Sequence, residues 1–285
     1  MDLLGIRTMV EADLDFVASC AAAEGWLTET REEFENFLTG GPQGCLIAEW
    51  EGRRAGVCVA TCYGRQGFIG ELIVQRTFRG KGLGPQLFER TVHYLQNRGC
   101  RLISLDSVPR AASFYASFGF RKICRSLRFK GRIQGGSCPA VRPMKTKDFF
   151  RVCDLDQQAF GADRSFFLGR RFLTEPELAK IHIENEQILG YIFGRRRGAV
   201  LWAGPWWVSP ASADKAALLQ DVALEAAQRE ISLGVLETNA QAAALLRSLG
   251  FQEMHAPSIR MTLGAGGPGV GLSPELFAIG TAAKG

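Results

Sequence analysis

Arg79-Gly80-Lys81-Gly82-Leu83-Gly84 packs three glycines and two cations into six residues. Small residues at that density leave backbone N–H groups uncovered. Uncovered amides at the start of a helix hold an anion, and a row of them suits a pyrophosphate. Two carboxylates stand nearby in apolar surroundings, Glu71 within Phe68-Ile69-Gly70-Glu71-Leu72-Ile73-Val74-Gln75 and Asp106 closing Leu102-Ile103-Ser104-Leu105-Asp106. A carboxylate is costly to bury without a partner or a task. Each is therefore a candidate for binding an ammonium group or taking its proton, Glu71 through a water and Asp106 by direct contact. A structural hydrogen bond or salt link is the alternative for each, and the sequence does not choose between the two as base.

The elements around these residues follow from their patterns. Phe68 to Gln75 is β-branched and apolar enough for a buried strand, and Gln86 to Leu95 carries apolar residues at helical spacing. The unit is strand, glycine turn, helix. A nucleoside-triphosphate loop would continue with Lys-Ser or Lys-Thr, but Gly84 is followed by Pro85-Gln86. The glycine spacing also fails the dinucleotide fingerprint. What fits is [QR]-x-x-G-x-[GA], with Arg79, Gly82 and Gly84 in the fixed places, and this resembles the acyl-coenzyme A loop of the GCN5-related N-acetyltransferases (GNAT). A second stretch adds to the resemblance. The superfamily closes its fold with N-x-x-A-x-x-[LF]-Y-x-x-x-G-F, and this chain matches at Ala111, Phe114, Tyr115, Gly119 and Phe120. It departs at the asparagine place, which holds Val108, with Ser107 next door.

The resemblance implies a mixed α/β (α+β) sheet flanked by helices and acetyl-coenzyme A as cosubstrate. Arg79 to Gly84 (Arg79, Gly80, Lys81, Gly82, Leu83, Gly84) would hold the pyrophosphate, and Leu72, Ile73 and Val74 would form a bulged strand whose free backbone groups pair with the pantetheine arm and serve the developing oxyanion. Ala111 and Phe114 would lie along the coenzyme. Tyr115 would face the coenzyme sulfur and protonate the leaving thiolate; its plain alternative is a core aromatic beside Phe114 and Phe118.

The chain also repeats itself. Ile6-Arg7-Thr8-Met9 with Asp13-Leu14 is echoed by Val141-Arg142-Pro143-Met144 with Asp148-Phe149, and Leu105 to Phe120 lies over Leu236 to Phe251 without a gap. A period of about 135 residues is a domain duplication rather than a solenoid unit. Residues 1–130 read as one domain and 141–285 as a second with a terminal strand at Leu276-Phe277-Ala278-Ile279. Residues 131–140, rich in glycine, serine and proline, read as a linker; the stretch from Gly264 to Gly269 reads as flexible. The copies differ where chemistry would occur. Gly204-Pro205-Trp206-Trp207-Val208 overlies Glu71 to Gln75, and Ser212 to Ala217 overlies the glycine loop with no glycine left. Tyr115 becomes Leu246, while the missing asparagine reappears as Asn239. The layout resembles bacterial tandem GNAT proteins with one working and one decayed copy. Trp202, Trp206 and Trp207 read as an aromatic core cluster, and Gly25-Trp26-Leu27 as either pocket wall or core.

At 285 residues with 46% hydrophobic and 22% charged content, the composition is that of a globular protein. A net charge of +5 suits an anionic coenzyme and is too diffuse to argue for nucleic acid. Arg195-Arg196-Arg197, between two glycines, reads as a solvated hairpin tip. Eight cysteines without a C-x-x-C pair argue against zinc and for free thiols in a reducing cytoplasm. No leader is evident at Met1-Asp2-Leu3-Leu4-Gly5-Ile6-Arg7 and no apolar run is long enough for a membrane span. His93, His182 and His255 read as surface or packing residues, and spacing argues for no Ser–His–Asp set. The reading is an N-acetyltransferase acting by direct transfer on a primary amine of a small molecule or peptide, as a monomer or homodimer. The rival is a pseudo-enzyme that senses acyl-coenzyme A or another small ligand.

Overall fold

A computed structural model describes residues 3–26, 28–227, 229–265 and 269–285. The first half runs β1 (Leu4–Thr8), α1 (Leu14–Ala23), α2 (Arg31–Gly40), β2 (Cys45–Trp50), β3 (Arg53–Tyr63), β4 (Gln66–Val74), α3 (Leu83–Asn97), β5 (Leu102–Ser107), α4 (Ala112–Ser117) and β6 (Arg121–Gly131). The second half repeats the order with β7 (Val141–Pro143), α5 (Thr146–Phe160), α6 (Ser165–Thr174), β8 (Lys180–Glu184), β9 (Gln187–Arg197), β10 (Val200–Val208), α7 (Ala217–Glu225), β11 (Glu230–Leu236), α8 (Ala240–Ser248), β12 (Gln252–Glu253) and β13 (Ser258–Gly264). A last strand, β14 (Leu276–Ala278), follows.

The echo at the two N-termini has a physical cause. Arg7 donates to both carboxylate oxygens of Asp13 at 2.6 and 2.9 Å, and the amide of Val10 donates to the same side chain. In the second half Arg142 grips Asp148 at 2.7 and 3.0 Å, and the Lys145 amide donates to it. A forked, charge-assisted pair closes the strand-to-helix turn each time.

All the main strands join one sheet in the order β1-β2-β3-β4-β5-β13-β6-β11-β10-β9-β8-β7. The two halves exchange strands. β6, which ends the first copy along the chain, pairs with β11, and β13, from the second copy, pairs with β5. Packing follows the exchange. Leu127 and Phe129 of β6 are buried with Leu233, Val235 and Phe251 of the second half, while Met261 of β13 is buried with Leu105 and Phe120 of the first. The pair β13–β6 then closes the seam, so neither half presents an open edge there. The helices meet as well. Arg170 of α6 donates to Asn36 of α2 at 2.6 Å, and Phe37 meets Phe167 edge-on at 6.0 Å.

Residues 131–140 are irregular but not loose. The Gly136 amide donates to the Gln220 carbonyl, and a side chain at Gly135 would run into Leu224, so glycine is what lets this segment lie against α7. In the stretch read as flexible, Gly266, Gly267 and Pro268 lie outside the described residues.

Candidate active site

The first half opens its sheet beside Glu71. β3 and β4 pair as Gly56↔Val74 and Val57↔Ile73, then as Val59↔Gly70, which leaves Glu71 and Leu72 together opposite Cys58. This is a β-bulge. Glu71 pays for it with a φ of +55°, a region a side chain enters only when its surroundings demand it. β4 and β5 run parallel and pair only from Gln66↔Leu102 to Ile69↔Leu105. Beyond Ile69 they part, and the β5-facing backbone of Leu72 to Val74 has no partner strand. Ile73 is buried in the core beneath, so side chain and backbone serve different ends.

The glycine turn follows. Gly80 and Gly82 both have φ of +79°, and Gly82 caps α3 without any side chain accepting from the first turn. The first turn contains no acidic residue. Among the described residues the amides of Gly80, Lys81 and Gly82 find no intramolecular acceptor, and those of Leu83 and Gly84 precede the ladder of the helix. A Cβ on Gly80 would meet nothing within 4 Å, so the turn faces open space. Arg79 is committed elsewhere, donating to the Val74 carbonyl at 2.9 Å and to Glu24 at 2.5 Å. Lys81 lies 4.7 Å over the Trp50 ring. Both cations brace the turn. Ser107, beside Val108, spends its hydroxyl on the Val108 carbonyl.

A cavity of about 430 Å³ joins the bulge to the second half. Glu71, Asp106 and Tyr115 all line it, as do Gly25 and Trp26; Leu27 lies outside the described residues. Neither oxygen of the Glu71 carboxylate has a hydrogen-bond partner among the described residues, and its Oε2 is sealed from solvent. Burial, and then the charge of Glu29, pushes the Glu71 pKa well above the usual carboxylate range; Lys284 and Arg195 offset part of this. Asp106 is differently placed. Arg260 of the exchanged strand β13 donates to it at 2.5 Å and Ser126 of β6 at 2.9 Å. Tyr115 packs against Phe88 and Phe114, with centroids 5.1 Å away in each case, and its hydroxyl has no partner among the described residues. Burial raises its pKa, which keeps the phenol protonated. Ala111 precedes α4 as its cap, and Phe114 joins the Phe88 cluster.

The Arg195-Arg196-Arg197 run is not a solvated tip. Arg195 is buried and bonds Glu33, with Glu29 at 3.8 Å; Arg196 holds Glu175 and Glu177; Arg197 lies 3.5 Å from Glu32 and Glu33. Lys284 also bonds Glu33, and Arg171 lies 3.7 Å from it. This charge cluster ties α2 to the second half behind Glu71. Sequence reasoning passed over Glu29, Glu33 and Lys284. Their signal was faint: acids just ahead of the buried Phe34 and Phe37, and one cation among the otherwise uncharged residues 276–285. The tryptophans do not form one cluster either. Trp206 packs on Phe277 at 5.2 Å, Trp207 stacks on Tyr191 at 5.9 Å on the other side, and Trp202 lines the cavity.

In the second half the equivalent groove is filled by the chain itself. At the start of α7 the Asp214 carboxylate accepts from the amides of Ala216 and Ala217 at 2.9 and 3.1 Å, where the first half leaves amides free. β14 pairs with β10 at Trp206 and Trp207, and the Ile279 amide donates to Gly234 of β11 at 2.8 Å. That segment thus wedges between the parallel strands β10 and β11. Asn239 donates to the carbonyls of Pro274 and Leu276 at 2.8 and 2.9 Å. One alignment invisible to spacing also appears. His182 stands 2.9 Å from Glu184 and 3.3 Å from Ser212, but Ser212 is buried and donates to the Asp214 carbonyl, so the set is structural.

Profiles of known families match both halves. The acetyltransferase (GNAT) family covers residues 11–120 and an acetyltransferase (GNAT) domain covers 152–268. The chain belongs to the GNAT family and carries two of its domains in tandem. Along its full length it shares its fold with a protein from Pyrococcus horikoshii described as a candidate acetyltransferase (TM-score 0.83, 22% identity, 100% of this chain and 97% of that one). It also matches a tandem GNAT protein from the clavulanic acid biosynthesis pathway (TM-score 0.63, 16% identity, 93% and 99%). Among curated proteins it is 35% identical over 57 residues to glucosamine 6-phosphate N-acetyltransferase 1 of Oryza sativa subsp. japonica, covering 20% of this chain and 34% of that protein. It is 32% identical over 117 residues to GCN5-related N-acetyltransferase 1, chloroplastic, of Arabidopsis thaliana, covering 40% and 59%. The matches therefore span less than two thirds of those relatives' length. No helix among the described residues is long and apolar enough to cross a membrane.

Proposed function

We propose that this protein transfers the acetyl group of acetyl-coenzyme A directly to a primary amine, and that only the first half does so. One observation carries the reading. Along β4 and the turn that follows it, the first half has an unpartnered buried carboxylate, a parted pair of parallel strands and then free helix-start amides, whereas the second half fills the positions of the parted strands and the amides with β14 and Asp214. The Gly80 to Gly84 amides hold the pyrophosphate, and the β4 backbone from Leu72 to Val74 holds the arm. The acceptor ammonium docks at Glu71, which takes a proton directly or through one water. The free amine attacks the thioester carbonyl, and a β4 amide steadies the oxyanion. The C–N bond forms, the C–S bond breaks, and the Tyr115 hydroxyl gives its proton to the departing thiolate. The acylated nitrogen gives its second proton to solvent, and the proton held on Glu71 restores the phenol, so one proton is released per turnover. In this scheme Asp106 is a structural group, since Arg260 and Ser126 already occupy its oxygens.

The rival, coenzyme binding without turnover, draws support only from Val108 and the occupied Ser107 hydroxyl beside it. Release of free coenzyme A over an amine panel separates the two. The panel includes glucosamine 6-phosphate and α-amino groups, since relatives are named glucosamine 6-phosphate N-acetyltransferase and N-alpha-acetyltransferase. Tight binding of acetyl-coenzyme A with no release over the whole panel would favour the sensor.

A further inference from the structure

We infer that the acceptor bears an acidic group as well as its amine, held at opposite ends of the cavity; the inference rests on the transferase reading above. The cavity wall is dipolar. At the β4 end stand Glu71 and Glu29, each buried and each with an Oε2 that lacks a partner, while the cations that line the cavity beside them, Arg195 and Arg197, are paired with Glu33. At the β6 end stand Arg128 and Lys130. Strands β5 and β13 lie between, so one molecule must reach across them to touch both ends.

The basic end carries unanswered charge. Arg128 donates to the hydroxyl of Ser126 at 2.9 Å and the carbonyl of Leu127 at 3.0 Å, both neutral groups. The carboxylate beside it is Asp106, 3.7 Å away, and Asp106 already binds Arg260 at 2.5 Å. Two guanidiniums thus share one carboxylate, Arg260 buried and Arg128 half-buried at the cavity. Burial depresses the Arg128 pKa, Asp106 offsets part of that, and Arg260 adds to it. An anion delivered here relieves both the desolvation and the repulsion. Lys130 is engaged at 3.1 Å with Glu230 and is partly exposed, which leaves it free to turn toward a bound acid. Trp26, Trp202 and Ile69 supply the apolar middle. A volume of about 430 Å³ is of the size that admits a small molecule.

A neutral amine would satisfy Glu71 and leave Arg128 with only its share of Asp106. Discrimination by a charged partner is stronger than by an apolar pocket. The test measures coenzyme A release with matched acceptors: alkylamines, ω-amino acids of the same chain lengths, and the corresponding amino alcohol phosphates. Acid-bearing members should exceed their neutral partners in kcat/KM on the order of 10²-fold. The carboxylate and phosphate arms show which acid is preferred, and a preference for either supports the inference. In Arg128→Gln the ratio of acid-bearing to neutral kcat/KM should collapse toward one. Lys130→Gln, at a more exposed site, should lower the same ratio by a smaller factor and serves if Arg128→Gln does not fold. Equal turnover of neutral and acid-bearing amines overturns the inference and leaves the transferase standing. No coenzyme A release from any member overturns both.

Discussion

Glu71→Gln separates catalysis from stability, because the same burial that readies this carboxylate also makes it a burden to the fold. The replacement keeps the shape and the φ of +55° and removes only the ability to ionise. As the base, Glu71 contributes a factor of roughly 10²–10⁴ to turnover, so kcat should fall by that order with little change in affinity for acetyl-coenzyme A. Stability should move the other way. Burial and then Glu29 raise the folded-state pKa above that of the unfolded chain. Between those two pKa values the folded protein binds more protons than the unfolded one, so wild-type stability falls as pH rises, by up to about 1.4 kcal/mol per pH unit. Below the ordinary carboxylate range both forms are neutral and the penalty vanishes. The glutamine variant lacks this slope. Its urea midpoint should match wild type in acid and exceed it at pH values above the raised pKa. The assay pairs steady-state coenzyme A release with urea unfolding at several pH values. The reasoning is refuted if the variant is less stable than wild type at alkaline pH, or if it retains full turnover.

Tyr115→Phe should lower kcat at saturating acetyl-coenzyme A about 10²-fold while leaving the aromatic cluster with Phe88 intact; unchanged turnover removes Tyr115 as the acid. Gly82→Val forces a β-branched residue into φ of +79°, and calorimetry should show coenzyme binding lost with the fold retained; normal binding would mean the turn is not the anion site. Lys284→Met deletes a cation that holds the Glu71 pKa down. The acidic limb of the kcat/KM profile should therefore move to higher pH, and a limb that stays put or moves lower would take Glu71 out of the rate-limiting ionisation.

What was legible in the sequence was local. The glycine turn, its flanking strand and helix, and the Arg7–Asp13 and Arg142–Asp148 echoes are each written within a few consecutive residues, and each appears in the fold. What was illegible depends on residues far apart in the chain. Nothing in Arg121 to Gly131 announces that this strand pairs across the seam, because its alternation suits either neighbour. Without the exchange, Asp106 looks like a free carboxylate; with it, Arg260 arrives from 154 residues away. The arginine run was misjudged for the same reason, since the partners of Arg195, Glu29 and Glu33, lie in the other half and those of Arg196, Glu175 and Glu177, lie about twenty residues before it. Residues 131–140 have a linker's composition, yet Gly135 serves close packing against Leu224.

The filling of the second groove and the building of the first pocket are one structural event. β14 occupies the opening between β10 and β11, and Asn239 fastens it there through two carbonyls. The chain leaving that wedge runs directly through Gly280, Thr281 and Ala282, which line the cavity beside Glu71. It continues to Ala283, whose atoms lie 2.8 Å from where a Cβ on Gly70 would stand, so glycine before the bulge lets the tail approach. It reaches Lys284, which bonds Glu33 behind Glu71 while its carbonyl accepts from Tyr63 at 3.0 Å. A second half that kept its groove open for a coenzyme could not anchor this tail. The tail could then supply neither the pocket wall nor the buried cation that tempers Glu71. On the proposed function the second half is the frame of the first half's acceptor site, and the strand exchange that carries Arg128, Lys130 and Ser258 to the cavity makes that frame inseparable from the half it serves.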